Sequence, residues 1–381
     1  YMTAATYMSS FDKESYARQG IWKEAEFHIL YSSSAIELNE NGMSGMQADS
    51  PLNSELIQRI TALDGVKKVT EIKNFGVLFD YPKNDEYNNN DEICPLTEEE
   101  TKEIGKYLAD GSADYDKLMG GDYILAAGNG TEVEIYGWEF TIGDKIILHY
   151  YDGNKMAEKE VTILGVLNDE YVLDHNGLEG WFLMPEQAIL KWLSYDSLNS
   201  DLLVSTEADK EDEVGEALEQ MIAEKSELDM ETLGDRRVMY GQNANQQFGT
   251  ISGLAIFIMM FSILSMMNTL ITNIVTRKQE LAMLESIGMS KGQIRKMLLG
   301  ESLFLVIATV SVTMTVGTLC GYTLSKVLYG KGAFYMAFQF PVVFTFSYAG
   351  VLIAVPLIIT LVSMKSFSKE ALVERLRGAE C

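Results

Sequence analysis

Residues 273–297, NIVTRKQELAMLESIGMSKGQIRKM, lie between two long uncharged stretches and decide how the chain is read. Upstream, no charged residue occurs from Val238 to Thr276. The core of that run, FGTISGLAIFIMMFSILSMMNTLITNIV, exceeds the about 20 apolar residues that a helix needs to cross a bilayer. Downstream, Ser302 to Ser325 is uncharged again, and a third apolar run within Gly332–Met364 centres on FSYAGVLIAVPLIITLVSM. Three such runs predict transmembrane helices at about 249–275, 299–325 and 343–364. Pro356 falls inside the third, where neighbouring helices can satisfy the freed carbonyl. Ala308, Ser311, Thr315, Gly317 and Gly321 suit close helix packing in the second.

The quoted stretch reads as a short helical hairpin over 276–297. Leu281, Leu284 and Ile287 fall on one side of a helix from Thr276 to Ile287. Gly288 stands where a left-handed stop belongs, and Ser290 with Gln293 fits a capping box that starts the next helix. An amphipathic link lying on lipid headgroups is the plainer alternative. Orientation follows from basic residues beside the spans. Arg277, Lys278, Lys291, Arg295 and Lys296 lie in the first link, and Lys365, Lys369, Arg375 and Arg377 in the tail. The second link has only Lys326 and Lys331. The hairpin and C-terminus are therefore expected in the cytoplasm, and residues 1–247 outside.

Charge divides the chain in the same place. Of 30 Lys+Arg and 55 Asp+Glu, residues 248–381 hold 11 and 6, and residues 1–247 hold 19 and 49. So acidic an outer body argues against nucleic acid as a partner. Cys94, Cys320 and Cys381 form neither a disulfide framework nor a CxxC pair, and His28, His149 and His175 are isolated, so no metal site is expected. The chain begins at Tyr1 with no signal-peptide pattern. Residues 1–20, opening YMTAATYMSS, read as the end of an upstream span or stalk.

Residues 21–236 read as an α+β domain. EAEFHIL (24–30) alternates as a strand, and LNSELIQRITAL (52–63) is a helix with Asn53 as cap and Gly65 past its end. VKKVT and FGVLFDY follow as strands. DYPKNDEYNNNDEICP (80–95) reads as an insertion loop, and TEEETKEIGKYL (97–108) as a Thr-capped helix with acids in its first turn. GDYILAAGN and IYGWEFTIGDKIILHYYDGNKMAEKEVTILGVL supply strands, with a hairpin signal at Asp152–Gly153. GWFLMPEQAILKWL pairs a strand with a short helix, DLLVST is a strand, and EADKEDEVGEALEQMIAEK is an amphipathic helix. GNG (128–130) lacks the features of a phosphate loop, and no nucleophile elbow or calcium loop is present, so no enzyme site is expected.

NTLITNIVTRKQELAMLESIGMSKGQIRKMLLGESLFL resembles the signature segment of the MacB/FtsX-like ABC transporter permeases. The matching positions are Thr276, Arg277, Glu280, Ile287–Gly288, Gln293–Ile294 and Glu301. The tail KSFSKEALVERLR resembles the family's ending. ITALDGVKKVT and IGDKIIL with EVTILGV resemble its extracytoplasmic core domain of two α/β subdomains. The resemblance implies a multi-pass plasma-membrane permease, bacterial and Gram-positive, with a MacB-like core at 21–236 and an FtsX-like domain at 237–381. It also implies a span upstream of Tyr1 and a second permease copy or half. The hairpin would dock on a separate cytoplasmic ATPase, since no Walker A pattern occurs here; ATP-Mg would bind that partner, leaving this chain without a cofactor. Leu281, Leu284 and Ile287 would fill a groove on the ATPase, with Gly288 and Gln293 shaping the turn and Arg277 and Glu280 setting register. Asn268, Thr269, Thr272 and Glu301 are expected as intramembrane polar residues, the first three hydrogen-bonding across helices. The implied activity is mechanotransmission that expels a hydrophobic or peptide-like substrate. The second reading is regulation of a cell-wall hydrolase, or peptide sensing, through an extracytoplasmic protein or peptide.

Overall fold

The computed structural model describes residues 1–80, 90–127, 139–168, 170–171 and 182–367. They form two compact units: Ala17–Arg236, and Tyr1–Tyr16 together with Arg237 onward.

The first unit contains two sheets. In one, β1 (Phe27–Tyr31), β2 (Val66–Lys73), β10 (Asn199–Thr206) and β11 (Leu228–Thr232) run antiparallel in the order β11-β1-β10-β2. Alternation along β1 sends Phe27, Ile29 and Tyr31 to a core shared with α5 (Ser54–Thr61) and α9 (Glu211–Ala223). Leu56 and Ile60 of α5 meet Val214 and Leu218 of α9 in that core. Asn53 caps α5 as expected, its side chain accepting from the Leu56 amide. Gly65, at φ +92°, turns the chain into β2.

The second sheet closes on itself. β3 (Phe75–Asp80), β4 (Asn90–Leu96), β6 (Tyr123–Ala126), β7 (Lys145–Tyr151), β8 (Met156–Leu167) and β9 (Phe182–Pro185) follow the circuit β8-β6-β9-β4-β3-β7, and β7 pairs back onto β8. β5 (Leu108–Gly111) pairs along the last residues of β8. Closure leaves one face of each strand inside, so Phe75, Phe79, Ile93, Ile146, Leu148 and Phe182 fill the barrel. Cys94, Leu96, Leu125, Leu167 and Leu183 face a second cluster with Leu118 and Tyr171. A register shift between Ile124 and Leu125 bulges β8, so Ile163 and Val166 both belong to the barrel interior.

Three readings change. Residues 90–96 are strand β4, paired antiparallel to β3 and parallel to β9, rather than part of an insertion loop. The helix expected over 97–108 is α6 (Glu98–Glu103), with its Thr97–Glu100 capping box, followed by a 3₁₀ turn and β5. β11 was not anticipated; its apolar residues are too few to signal a strand. GNG at 128–130 and His175 lie outside the described residues, as do most of IYGWEF and of the tail.

The remaining helices of the first unit are short: α3 (Ser33–Leu38), α4 (Gly42–Ala48), α7 (Tyr115–Met119) and α8 (Glu186–Leu190). α2 (Lys13–Ala17) spans the division between the two units.

The second unit is helical: α1 (Met2–Ser10), α10 (Leu233–Thr276), α11 (Lys278–Ser286), α12 (Lys291–Gly330) and α13 (Val342–Phe367). α10, α12 and α13 are long and apolar enough to cross a membrane. α10 and α12 extend beyond the expected spans, and their polar flanks contain no proline to stop them. α1 lies against α12, where a Cβ at Gly317 or Gly321 would stand 2.5 Å from the Cβ of Met2 or Thr6. Phe11, Tyr16, Tyr240, Phe248 and Tyr335 form a linked ring cluster beside it.

Candidate coupling hairpin

α10 ends at Thr276, and α11 and the start of α12 form the hairpin read from the sequence. Its turn is fully hydrogen-bonded. Gly288 adopts φ +99°, its amide donates to the Glu285 carbonyl, and the Met289 amide donates to the Leu284 carbonyl. Those two bonds are a Schellman motif. One residue later, the Ser290 hydroxyl accepts from the Gln293 amide, and the Gln293 side chain accepts from the Ser290 amide at 2.8 Å. A helix stop and a helix start thus abut, because the sequence places Gly, Ser and Gln at the positions each motif requires.

The two helices close their own small core. Leu281 is 0% exposed and packs with Ile294 and Leu298, with Leu284, Met289 and Met297 around them. This corrects the expectation that Leu281 faces a partner: the hairpin uses it internally. Leu284 is half-buried on the same cluster. Ile287 is 82% exposed, and Met283, which the sequence reading passed over, is 55% exposed. The outward apolar surface of α11 and its C-cap is therefore Met283 and Ile287.

Arg277 braces the hairpin base. Its Nε donates to Glu280 at 2.9 Å, and its Nη1 donates to Glu301 at 2.7 Å. Glu301 is thus the ion-pair partner of the arginine that follows α10. The two are 24 residues apart with other charged residues between them, so nothing local ties the pair. Asn268, Thr269 and Thr272 are exposed on α10. Thr269 donates to the Ser265 carbonyl of its own helix at 3.0 Å. Within this chain, none of the three bonds another helix among the described residues. Nor do those residues hold any group of His, Cys, Asp and Glu that could bind a metal ion.

Residues 252–371 match the family described as FtsX-like permease C-terminal. This part of the chain is similar to the FtsX-like permeases. The FtsX-like segment includes most of α10, the hairpin and the helices after it. No curated protein matches the chain. Among solved structures, the periplasmic region of MacB from Actinobacillus actinomycetemcomitans is 13% identical, with TM-score 0.27, covering 56% of this chain and 92% of that one. The extracellular domain of the noncanonic ABC-type transporter YknZ from Gram-positive bacteria is 17% identical, with TM-score 0.25, covering 55% and 99%. At these scores the likeness adds nothing to the fold described above.

Proposed function

We propose that the chain is the permease subunit of an ABC transporter and that its hairpin receives the work of a separate cytoplasmic ATPase. The observation that carries this reading is the exposed pair Met283 and Ile287 on a helix whose other face is committed to its own core. Large apolar side chains held in water gain about 1.5–3 kcal/mol each when a partner covers them. The braced turn holds them in one place, which lowers the ordering cost of docking. The basic flanks support a cytoplasmic hairpin with residues 17–236 outside, and in this reading hydrolysis is transmitted across the membrane to that outer unit. The substrate in this reading is hydrophobic or peptide-like, and a second permease copy completes the assembly around α10, whose Asn268, Thr269 and Thr272 are exposed.

The test is affinity purification of the full chain from membranes with its ATPase. Met283→Asp with Ile287→Asp should abolish copurification and ATP-dependent function, while the permease still inserts. Full recovery of the ATPase with that double variant would refute the docking surface.

A further inference from the structure

A groove of about 660 Å³ lies in the first unit, between the α3–α4 turn and the outer face of the barrel at β3 and β7. Its wall is fixed in place. Gly76 lets α4 lie directly on β3, since a Cβ there would stand 2.5 Å from Met43 Cβ. The Tyr151 amide donates to the Ser44 hydroxyl at 2.9 Å, and the Tyr195 hydroxyl contacts the Ser44 and Tyr151 carbonyls at 3.2 Å. Gln47 donates to the Asn74 carbonyl at 2.6 Å and accepts from the Gly76 amide at 3.3 Å. A concavity walled by so many fixed bonds is preorganised.

Its chemistry has two parts. Leu78 and Met156 are large apolar side chains left exposed along the floor. Glu37 and Glu40 stand on the rim, neither with an ion-pair partner among the described residues. Among the described residues, no Lys or Arg lines the groove. His149, on its wall, already meets Asp80 at 2.8 Å and Glu158 at 3.5 Å. An apolar floor with a negative rim suits a ligand that offers apolar side chains and positive charge together. Anionic lipid is repelled by the rim, and so is a second copy of this acidic outer unit, with 49 acids to 19 bases over residues 1–247.

We propose that this groove binds a cationic amphipathic peptide segment, its apolar side chains on Leu78 and Met156 and its Lys or Arg side chains at Glu37 and Glu40. The proposal rests on the permease reading only in placing the groove outside the membrane. Its test contains no ATPase, so it can fail while the coupling reading stands, and the reverse.

The full chain is placed in nanodiscs of zwitterionic lipid. A fluorescent helical peptide built of Leu and Lys is titrated in and followed by anisotropy against empty discs. Glu37→Lys with Glu40→Lys should weaken binding about tenfold, and Leu78→Ser with Met156→Ser by a similar factor. The same charge change on α9, Asp212→Lys with Glu216→Lys, should alter affinity less than about twofold. A matching peptide of Leu and Glu should not bind above the empty discs. Equal losses from the groove and α9 charge reversals would overturn the proposal, as would indifference to the Leu78 and Met156 changes, or no binding beyond the discs.

Discussion

At the scale of single residues, His28 is a group whose surroundings change its titration near neutral pH. It points to the face of the four-stranded sheet opposite the apolar core. Burial alone would lower its pKa. Asp201, 2.9 Å from Nε2, and Glu231, 3.4 Å from Nδ1, outweigh that and raise it above the ordinary 6.5. The folded chain therefore holds this proton more tightly than the unfolded chain. The resulting stability is fully present below pH 6.5 and is lost as pH rises through the elevated pKa. Urea midpoints of the first unit should fall across that window in the native protein, and His28→Gln should remove this component of the slope. An unaltered slope in His28→Gln would show that the two carboxylates do not hold the proton. The strand pattern of EAEFHIL already put His28 on the outer face, yet its partners lie 173 and 203 residues away. Long-range pairing of that kind leaves no local trace, and neither does Arg277 with Glu301.

At the scale of elements, legibility followed the range of the bonds that define each one. The hairpin turn and the Thr97 and Asn53 caps were readable because their partners are three to five residues apart. Strand β4 was not, since a run of Asn, Asp and Glu becomes a strand only by filling the space between β3 and β9. β11 is similar, a polar edge strand held by β1. The burial of Leu281 was missed for a related reason: periodicity shows that a helix has an apolar side, and only packing shows what covers it. The hairpin can be tested directly. Ser290→Ala removes a cap worth about 1 kcal/mol. Gly288→Val places a β-branched residue at φ +99° and should cost more. Amide exchange over residues 281–298 should accelerate in both variants, more so in the second, with the rest of α12 unaffected. Uniform protection in Gly288→Val would show that the turn does not hold the pair.

At the scale of the whole molecule, the two units should come apart as separate transitions. Trp22 and Trp192 belong to the first unit and the other two tryptophans lie between them in sequence, whereas the longest helices belong to the second unit. In detergent, urea should shift tryptophan emission in a cooperative step while most helical circular dichroism persists, because the apolar helices keep their micelle. Coincident loss of both signals would contradict that separation. Charge and hydropathy part the chain near residue 247, but barrel closure leaves no such mark, because it depends on β7 meeting both β3 and β8. The hairpin turn has a mechanical consequence of its own. Four consecutive amides, Ile287 to Ser290, all donate within the protein, to Met283, Glu285, Leu284 and Gln293 respectively. Bending the corner therefore means breaking several bonds together, so its compliance is low. A load applied at Ile287 travels into α12 as displacement, with little of it absorbed as flexing at the corner.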